Sequence, residues 1–283
     1  IQAFQGNTQF SEKDGNIQMD PKWQYVFEGL IWPLSISYLK VTRGSLDKKV
    51  IFEDYLKLFE FINKLNVIVL LSAIPIGLYP SFKKTIFPLA YKCYHMMPWG
   101  GWISLYQNLK EVYDNNNFDV PFGIDFYRQL CSEKNIRLIE EAKDIRNTIS
   151  AHGGDIDEDC AEKYLEKLKP KLNTLFNSML IYKDLEMYYI KGQLEQDVEK
   201  NQYEHSVLNL TGPFSQPYED THYFDDILKS GKLYLFKPTT NELLQLKDEF
   251  AKFIQINKNP SVWVFYIFND AKLINDEQKS VPF

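Results

Sequence analysis

The stretch IFEDYLKLFEFINKLNVIVL, residues 51–70, decides the fold of this 283-residue chain. Its apolar residues recur at steps of three and four positions, which places them on one face of an α-helix. They are Ile51, Tyr55, Leu58, Phe59, Ile62 and Leu65. The apolar character continues through residue 79. The pattern therefore predicts a long, buried helix at the centre of the first part of the chain.

Similar periodicity predicts further helices on both sides of this segment. An earlier stretch, residues 23–40, contains Pro33, which either breaks a helix or marks the turn into one. Ser132 or Asn135 can cap a helix that begins at Ile136 and that Gly153 and Gly154 stop. The other predicted helices cover residues 85–97, 102–112 and 158–185.

Three segments between the predicted helices are typical of irregular structure. The sequence PWGGW at residues 98–102 predicts a turn. Residues 113–119 are rich in Asn and Asp and predict a loop. Residues 191–200 carry many charges and predict a linker. The helical part is expected to end at this linker.

The last third of the chain has a different pattern. Short runs at 206–210, 232–237 and 262–268 are rich in β-branched and aromatic residues and predict strands. Residues 243–256 fit either a helix or, in their first half, a strand. We therefore predict an α+β chain, with a polar leader over 1–20, a helical domain over 21–190 and a smaller β-rich domain over 201–283.

Composition excludes several classes of protein. With 45% hydrophobic and 15% aromatic residues, the chain can build a core and is not disordered as a whole. A net charge of −6 argues against a protein that binds nucleic acid over its whole surface. A local basic cleft is still compatible with this charge. The three widely spaced cysteines suggest neither disulfides nor a zinc site and favour the cytoplasm.

A membrane span is not expected either. The apolar run over residues 65–79 is interrupted by Pro75 and Gly77. It also falls short of the roughly 20 residues that a helix needs to cross a bilayer. We interpret it as a buried helix of a protein without a membrane partner.

The segment RNTISAHGG, residues 146–154, combines residue types that handle phosphates. On a helix, Arg146 precedes His152 by about 9 Å, and the flexible arginine stem can bring the two groups together around a phosphate. As the last helical residue, His152 lies near the carbonyl end of the helix, which favours its protonated form. Asn147 adds a hydrogen-bonding amide. The alternatives are a structural cap for His152 and an ion pair for Arg146 with Asp144, Glu140 or a neighbouring helix.

The Arg146-Asn147 pair, followed by Ala151-His152-Gly153, resembles the signature of the HEPN superfamily (higher eukaryotes and prokaryotes nucleotide-binding domains). The surrounding order of an apolar helix, a turn, a second helix, a loop and the Arg-His helix is similar to bacterial HEPN-like domains of signalling and defence proteins. The resemblance covers roughly residues 45–190.

This resemblance implies a metal-independent endoribonuclease of a bacterial toxin or antiviral-defence system, without a cofactor. Such enzymes are usually homodimers in which two Arg-His helices face each other across a cleft. The roles would fall on His152 as general acid or base and on Arg146 and Asn147 at the phosphate. As candidate substrate-binding residues for RNA we add Lys143, Ser150 and Trp102.

Two other functions compete with the ribonuclease. The first is a catalytically silent HEPN-like module that dimerises, or binds a nucleotide or a regulatory partner, within a larger protein. The second is a sensor whose β-rich part recognises a small molecule or a phage component. A structural reading also competes at Trp99 and Trp102, because tryptophans that flank glycines more often anchor a loop in the core.

Overall fold

The helical part of the protein is built around one long helix. The computed structural model describes residues 11–13, 16–18, 29–43, 47–75, 98–151, 156–212, 217–247, 251–258 and 261–267. Its helices are α1 (Trp32–Arg43), α2 (Lys48–Ala73), α3 (Trp99–Asn115), α4 (Ile124–Leu130), α5 (Glu133–Ala151) and α6 (Glu158–Met179), and a 3-10 helix over Leu180–Asp184 follows α6.

Helix α2 is the predicted central helix. The Asp47 carboxylate caps its start by accepting hydrogen bonds from the backbone N–H groups of Lys49 at 2.8 Å and Val50 at 3.4 Å. From residue 61 to its end, every residue of α2 is buried, whichever side of the helix it lies on. Helices α1, α3, α5 and α6 pack around it. The prediction of a central, buried helix over residues 51–70 is confirmed.

The predicted turn at residues 98–102 is wrong, because α3 begins at Trp99. Pro98 is extended and precedes the helix, and Gly100 and Gly101 occupy its first turn. The penalty of about 1 kcal/mol for glycine applies to a helix interior, and the first turn lies outside it. Burial of the two flanking tryptophans in the core holds this first turn in place.

The later helices follow the sequence pattern with shifted ends. Helix α5 begins at Glu133, three residues before the predicted start, and Ser132 Oγ accepts a hydrogen bond from Asn135 N–H at 3.4 Å. Ser132 is thus the cap among the two predicted candidates. The predicted stop at Gly153 and Gly154 and the predicted helix at 85–97 lie outside the described residues. The helix predicted over 158–185 is α6, completed by the 3-10 turn.

The C-terminal part contains an antiparallel five-stranded sheet with the order β5-β4-β3-β6-β7. Its strands are β3 (Glu186–Asp197), β4 (Gln202–Asn209), β5 (Tyr218–Phe224), β6 (Leu233–Lys237) and β7 (Glu242–Gln245). Two hairpins stand apart from this sheet: β1 (Ser11–Lys13) with β2 (Asn16–Gln18), and β8 (Ala251–Lys258) with β9 (Ser261–Ile267). Helices thus dominate the N-terminal part and strands the C-terminal part, which confirms the α+β prediction.

Two details of the predicted sheet are settled by these strands. The predicted linker at 191–200 is wrong, because β3 runs to Asp197 and only residues 198–200 form a turn. This end of β3 pairs with β4 and is largely exposed, so most of its side chains are polar although it is a strand, with Leu194 as the exception. Residues 243–256 contribute to β7 and β8, which confirms the strand alternative for their first half.

The helices and the sheet share one core. Five apolar side chains from the inner face of the sheet belong to the same buried cluster as the helices: Met187, Leu208, Leu233, Leu235 and Leu244. Backbone contacts reinforce this packing, since Trp32 N–H donates to Leu210 O at 2.7 Å. Lys247 Nζ also donates to Leu71 O near the end of α2, at 2.8 Å. None of the helices in the described part of the chain is long and apolar enough to cross a membrane.

The outer face of the sheet carries a smaller aromatic cluster that includes His222. Its ring centre lies 4.5 Å from that of Phe224 and 4.8 Å from that of Tyr188. Burial lowers the pKa of His222, and the carboxylates of Glu186 and Asp220 oppose this effect only in part. The neutral form of His222 is therefore favoured in the folded protein.

A buried polar network fixes how the helices meet. Asn66 on α2 donates from Nδ2 to the Tyr106 hydroxyl at 3.0 Å, and the Tyr182 hydroxyl donates to Asn66 Oδ1 at 3.1 Å. Tyr106 in turn donates to Leu130 O. All three side chains are fully buried. One amide thus joins α2, α3 and the 3-10 turn after α6.

We expect Asn66→Ala to lower the free energy of unfolding by about 2 kcal/mol, because it leaves the buried Tyr182 hydroxyl without its acceptor. Urea denaturation measures this loss. Asn108→Ala is the matched control, since Asn108 donates only to a backbone carbonyl on the surface of α3. Equal effects of the two substitutions would contradict the importance of the network.

The lowered pKa of His222 predicts a pH dependence of stability with a definite sign. The contribution of neutral His222 is complete above the pKa of an unfolded histidine, about 6.5, and decreases as the pH falls below it. Between pH values of about 7 and about 5, the wild-type protein should therefore lose more stability than His222→Gln. Urea titrations at a series of pH values measure the difference, and identical profiles would refute the assignment.

Candidate active site

Arg146 lies where three helices meet. It is on α5, and its Nη1 atom is 3.7 Å from Glu60 Oε2 on α2. Its guanidinium carbon lies 5.8 Å from the ring centre of Trp99 at the start of α3, within the range of a cation–π contact. The Arg146 side chain is nevertheless 47% exposed. The neighbouring helices thus hold the guanidinium in place while leaving about half of the side chain open to solvent.

Glu60 also pairs with a second cation. Lys64, one turn further along α2, places Nζ 2.9 Å from Glu60 Oε1, and only 3% of its side chain is exposed. Its Nζ atom lies 5.9 Å from the ring centre of Trp102. One carboxylate therefore serves two cations, one through each oxygen. The formal charge of Glu60, Lys64 and Arg146 together is +1.

This arrangement suits the binding of an anion. A phosphate that approaches Arg146 meets a guanidinium whose remaining N–H groups can form charge-assisted, bidentate hydrogen bonds. Glu60 would not lose its counter-ion when the guanidinium turns toward a phosphate, because Lys64 remains beside it. Arg146 can therefore exchange Glu60 for a phosphate at a lower cost in free energy than if this exchange left the Glu60 carboxylate without a cation.

Two of the predicted site residues adjoin Arg146 on the surface of α5. Lys143 is three positions before Arg146 and four before Asn147, the two spacings at which side chains on a helix are neighbours, whereas Arg146 and Asn147 themselves point in different directions. Asn147 is exposed. The Lys143 side chain is 24% exposed, and its Nζ atom lies 3.2 Å from Asp144 Oδ1. The structure therefore places Lys143, Arg146 and Asn147 on the same helix, with Lys143 at neighbour spacing to both, and their roles in the site stay predictions.

The other predicted residues have different outcomes. Trp102 is fully buried and offers no ring face to a base, so its prediction as a substrate-binding residue is wrong, and the core alternative describes it. Helix α5 continues through Ala151. His152 follows directly in the sequence but lies outside the described residues, as does the side chain of Ser150. Their predicted roles stay predictions.

The sequence reasoning missed Glu60 and Lys64. The signal was present, because FEFINKLN at residues 59–66 places charged and amide side chains inside the stretch predicted to be most buried. A buried charge requires a partner, and spacing of four positions on a helix supplies one. The second partner of Glu60 is 86 positions away in the sequence, so only the tertiary structure shows it.

Two buried polar groups near this site have no hydrogen-bond partner among the described residues. They are the indole N–H of Trp99, whose ring contacts Arg146, and the side-chain amide of Asn63 on α2. Within the same part of the chain, no group of three or more His, Cys, Asp or Glu side chains is placed to hold a metal ion. The charged groups around Arg146 are thus the site's main chemical feature.

Glu60→Gln and Arg146→Met should differ strongly in their effect on stability. Removal of the Glu60 charge breaks its ion pair with buried Lys64 and should cost about 3 kcal/mol of unfolding free energy. Loss of half-exposed Arg146 should cost less than about 1 kcal/mol. Urea denaturation of both variants measures the contrast. A loss at Arg146 as large as at Glu60 would show that the arginine is needed for the fold.

Comparison with known proteins adds no relative to this description. No protein-family model matches the chain, and neither a curated protein nor a solved structure matches it. The resemblance of the segment at residues 146–153 to the HEPN signature consequently rests on the sequence alone.

Proposed function

We propose that this chain is a metal-independent endoribonuclease of a bacterial toxin or antiviral-defence system, with Arg146 and His152 in its active site. The observation that carries the proposal is the guanidinium of Arg146, which Glu60 and Trp99 hold in position while 47% of the side chain stays exposed. A positioned, accessible arginine next to Lys143 and Asn147 is what phosphate recognition requires.

The proposed reaction is an internal transfer at an RNA phosphate. The ribose 2′-oxygen attacks the adjacent phosphorus and loses its proton, and the bond from phosphorus to the 5′-oxygen of the next nucleotide breaks. The products are a 2′,3′-cyclic phosphate and a 5′-hydroxyl, which takes up a proton. His152 acts as general acid or base in these proton transfers, and Arg146 stabilises the negative charge on the phosphoryl oxygens.

Glu60 and Lys64 act through Arg146 in this proposal. Glu60 orients the guanidinium before RNA binds, which reduces the conformational entropy that an arginine loses on binding. Lys64 keeps the Glu60 carboxylate paired while Arg146 engages the phosphate. Both are positioning residues, since neither needs to touch RNA.

The predicted partners follow from the same site. The net charge of −6 gives little general attraction for RNA, so binding depends on a local cluster of cations. A homodimer with facing α5 helices would place two copies of Lys143 and Arg146 at one cleft and double that positive charge. Regulation by a further domain or partner in the cytoplasm belongs to the same proposal.

A catalytically silent binding module is the second candidate. It is favoured by the ion pair itself, because Glu60 already occupies part of the Arg146 guanidinium. Burial of Trp102 also removes the aromatic platform that was expected for a base. In this reading, the network of Glu60, Lys64 and Arg146 ties α2 to α5 and supports a protein interface.

Cleavage of a mixed RNA in the presence of EDTA tests the proposal. We expect the wild-type chain to produce 2′,3′-cyclic phosphate ends, and Arg146→Ala and His152→Ala to reduce the rate by about 100-fold or more. Arg137→Ala is the matched control, because Arg137 is also on α5, is 71% exposed and, among the described residues, forms its ion pair with Glu141 on the same helix.

The outcomes separate the two candidates. Cleavage that Arg137→Ala retains and that both other variants lose supports the ribonuclease. Cleavage that needs a divalent cation, or that survives in both variants, contradicts this mechanism. Binding of the RNA without cleavage, if it weakens in Arg146→Ala but not in Arg137→Ala, supports the silent module.

A further inference from the structure

Strand β5 forms an exposed edge of the five-stranded sheet. It is the end strand, and β4 is the only described strand that pairs with it. Residues 218–221 and Tyr223 are exposed, so the helices do not cover this part of the sheet on either face. Tyr218 and Tyr223, at 43% and 42% exposure, are among the few large apolar side chains on the surface of the described residues. The edge is accessible along most of its length.

The hydrogen-bonding pattern shows which backbone groups point outward. Leu210 N–H donates to Met187 O on β3. The backbone N–H and C=O groups of the even-numbered residues at this end of β4 therefore point toward β3. The backbone groups of the odd-numbered residues of β4 point toward β5, where these residues pair with residues 218, 220, 222 and 224. Because bonding alternates along an antiparallel strand, the N–H and C=O groups of Glu219, Thr221 and Tyr223 point away from the sheet.

The edge is only partly protected against pairing. Charged residues, proline and bulges keep exposed strands of natural sheets apart. Strand β5 carries the charged residues Glu219, which pairs with Lys191 on β3, and Asp220, but it has no proline and pairs with β4 without a register shift. The central outward amide, Thr221 N–H, is held at 2.8 Å by the carboxylate of its own neighbour Asp220. This one-residue contact is local, and a backbone carbonyl of another strand can replace it.

We propose that β5 pairs with β5 of a second copy of this chain, antiparallel and with the two-fold axis at Thr221. The five-stranded sheets of the two copies then form one continuous sheet of ten strands. In this pairing Thr221 lies opposite Thr221 of the second copy, and Glu219 lies opposite Tyr223. The outward N–H and C=O groups of these three residues then all form hydrogen bonds between the copies.

The side chains of β5 favour this register. With the axis at Thr221, Asp220 faces His222 of the other copy, and Glu219 faces Tyr223. An axis at Glu219, Asp220 or His222 would instead place acidic side chains opposite each other, which destabilises a sheet. An axis at Tyr223 would oppose Asp220 and Asp226. Thr221 is thus the one position within 219–223 that avoids pairing of like charges.

A cysteine crosslink tests both the contact and its register. In the proposed pair, the two Thr221 Cα atoms are about 5.5 Å apart, within the range for a disulfide. Thr221→Cys should therefore form a covalent dimer on mild oxidation. Glu219→Cys is the matched control, because the two Glu219 residues lie four positions, or about 14 Å, apart along the strands. The wild-type chain, with three cysteines of its own, sets the background.

Thr221→Pro gives an independent test by sedimentation velocity. Proline removes the outward N–H but no hydrogen bond to β4, so the strand itself can tolerate it at this edge. We expect a concentration-dependent dimer for the wild type and a loss of that dimer in the folded variant, checked by circular dichroism. Equal crosslinking at 219 and 221, or dimers unaffected by Thr221→Pro, would overturn the proposal. Neither result depends on ribonuclease activity.

Discussion

The burial of α2 on all sides from residue 61 to Ala73 is the constraint on which the rest of the structure depends. A polar side chain in this part of the helix cannot reach water, so it is costly unless it finds a partner inside the protein, as the Asn63 amide does not among the described residues. Asn66 finds Tyr106 and Tyr182, and Lys64 finds Glu60. These partners fix the neighbouring elements around α2 more specifically than apolar contacts do, since a hydrogen bond demands both a distance and a direction.

The same constraint places the candidate site. Glu60 directly precedes the fully buried part of α2, where a carboxylate can neutralise a buried lysine with one oxygen and still face the surface with the other. Arg146 on α5 uses that second oxygen. A polar requirement of the core thus produces an ordered cation at the surface. This explains how a site can be built on rigid helices, without a loop that must fold on binding.

Local rules predicted the elements whose side-chain pattern matches their environment. The period of α2 and the composition of β6 identified them from the sequence, because α2 buries one face along its length and β6 buries nearly all of its side chains. The start of α3 and the outer half of β3 could not be predicted in this way. Glycines that look like a turn are held helical by tryptophans in the core, and an exposed strand resembles a linker. At the site, Arg146 followed from the motif, while Glu60 became visible only through the packing of α2 on α5.

The two proposed contacts between copies use different parts of the chain. A ribonuclease dimer of the HEPN type would bring α5 helices together, whereas the sheet contact uses only the edge of β5. Each contact is two-fold symmetric and uses the same surface on both copies, so either contact alone produces a dimer and no larger assembly. Together they would connect every copy to two different neighbours. Such an assembly closes only if the two axes are suitably related, and otherwise it grows, which would couple the proposed RNA cleft to the concentration of the protein.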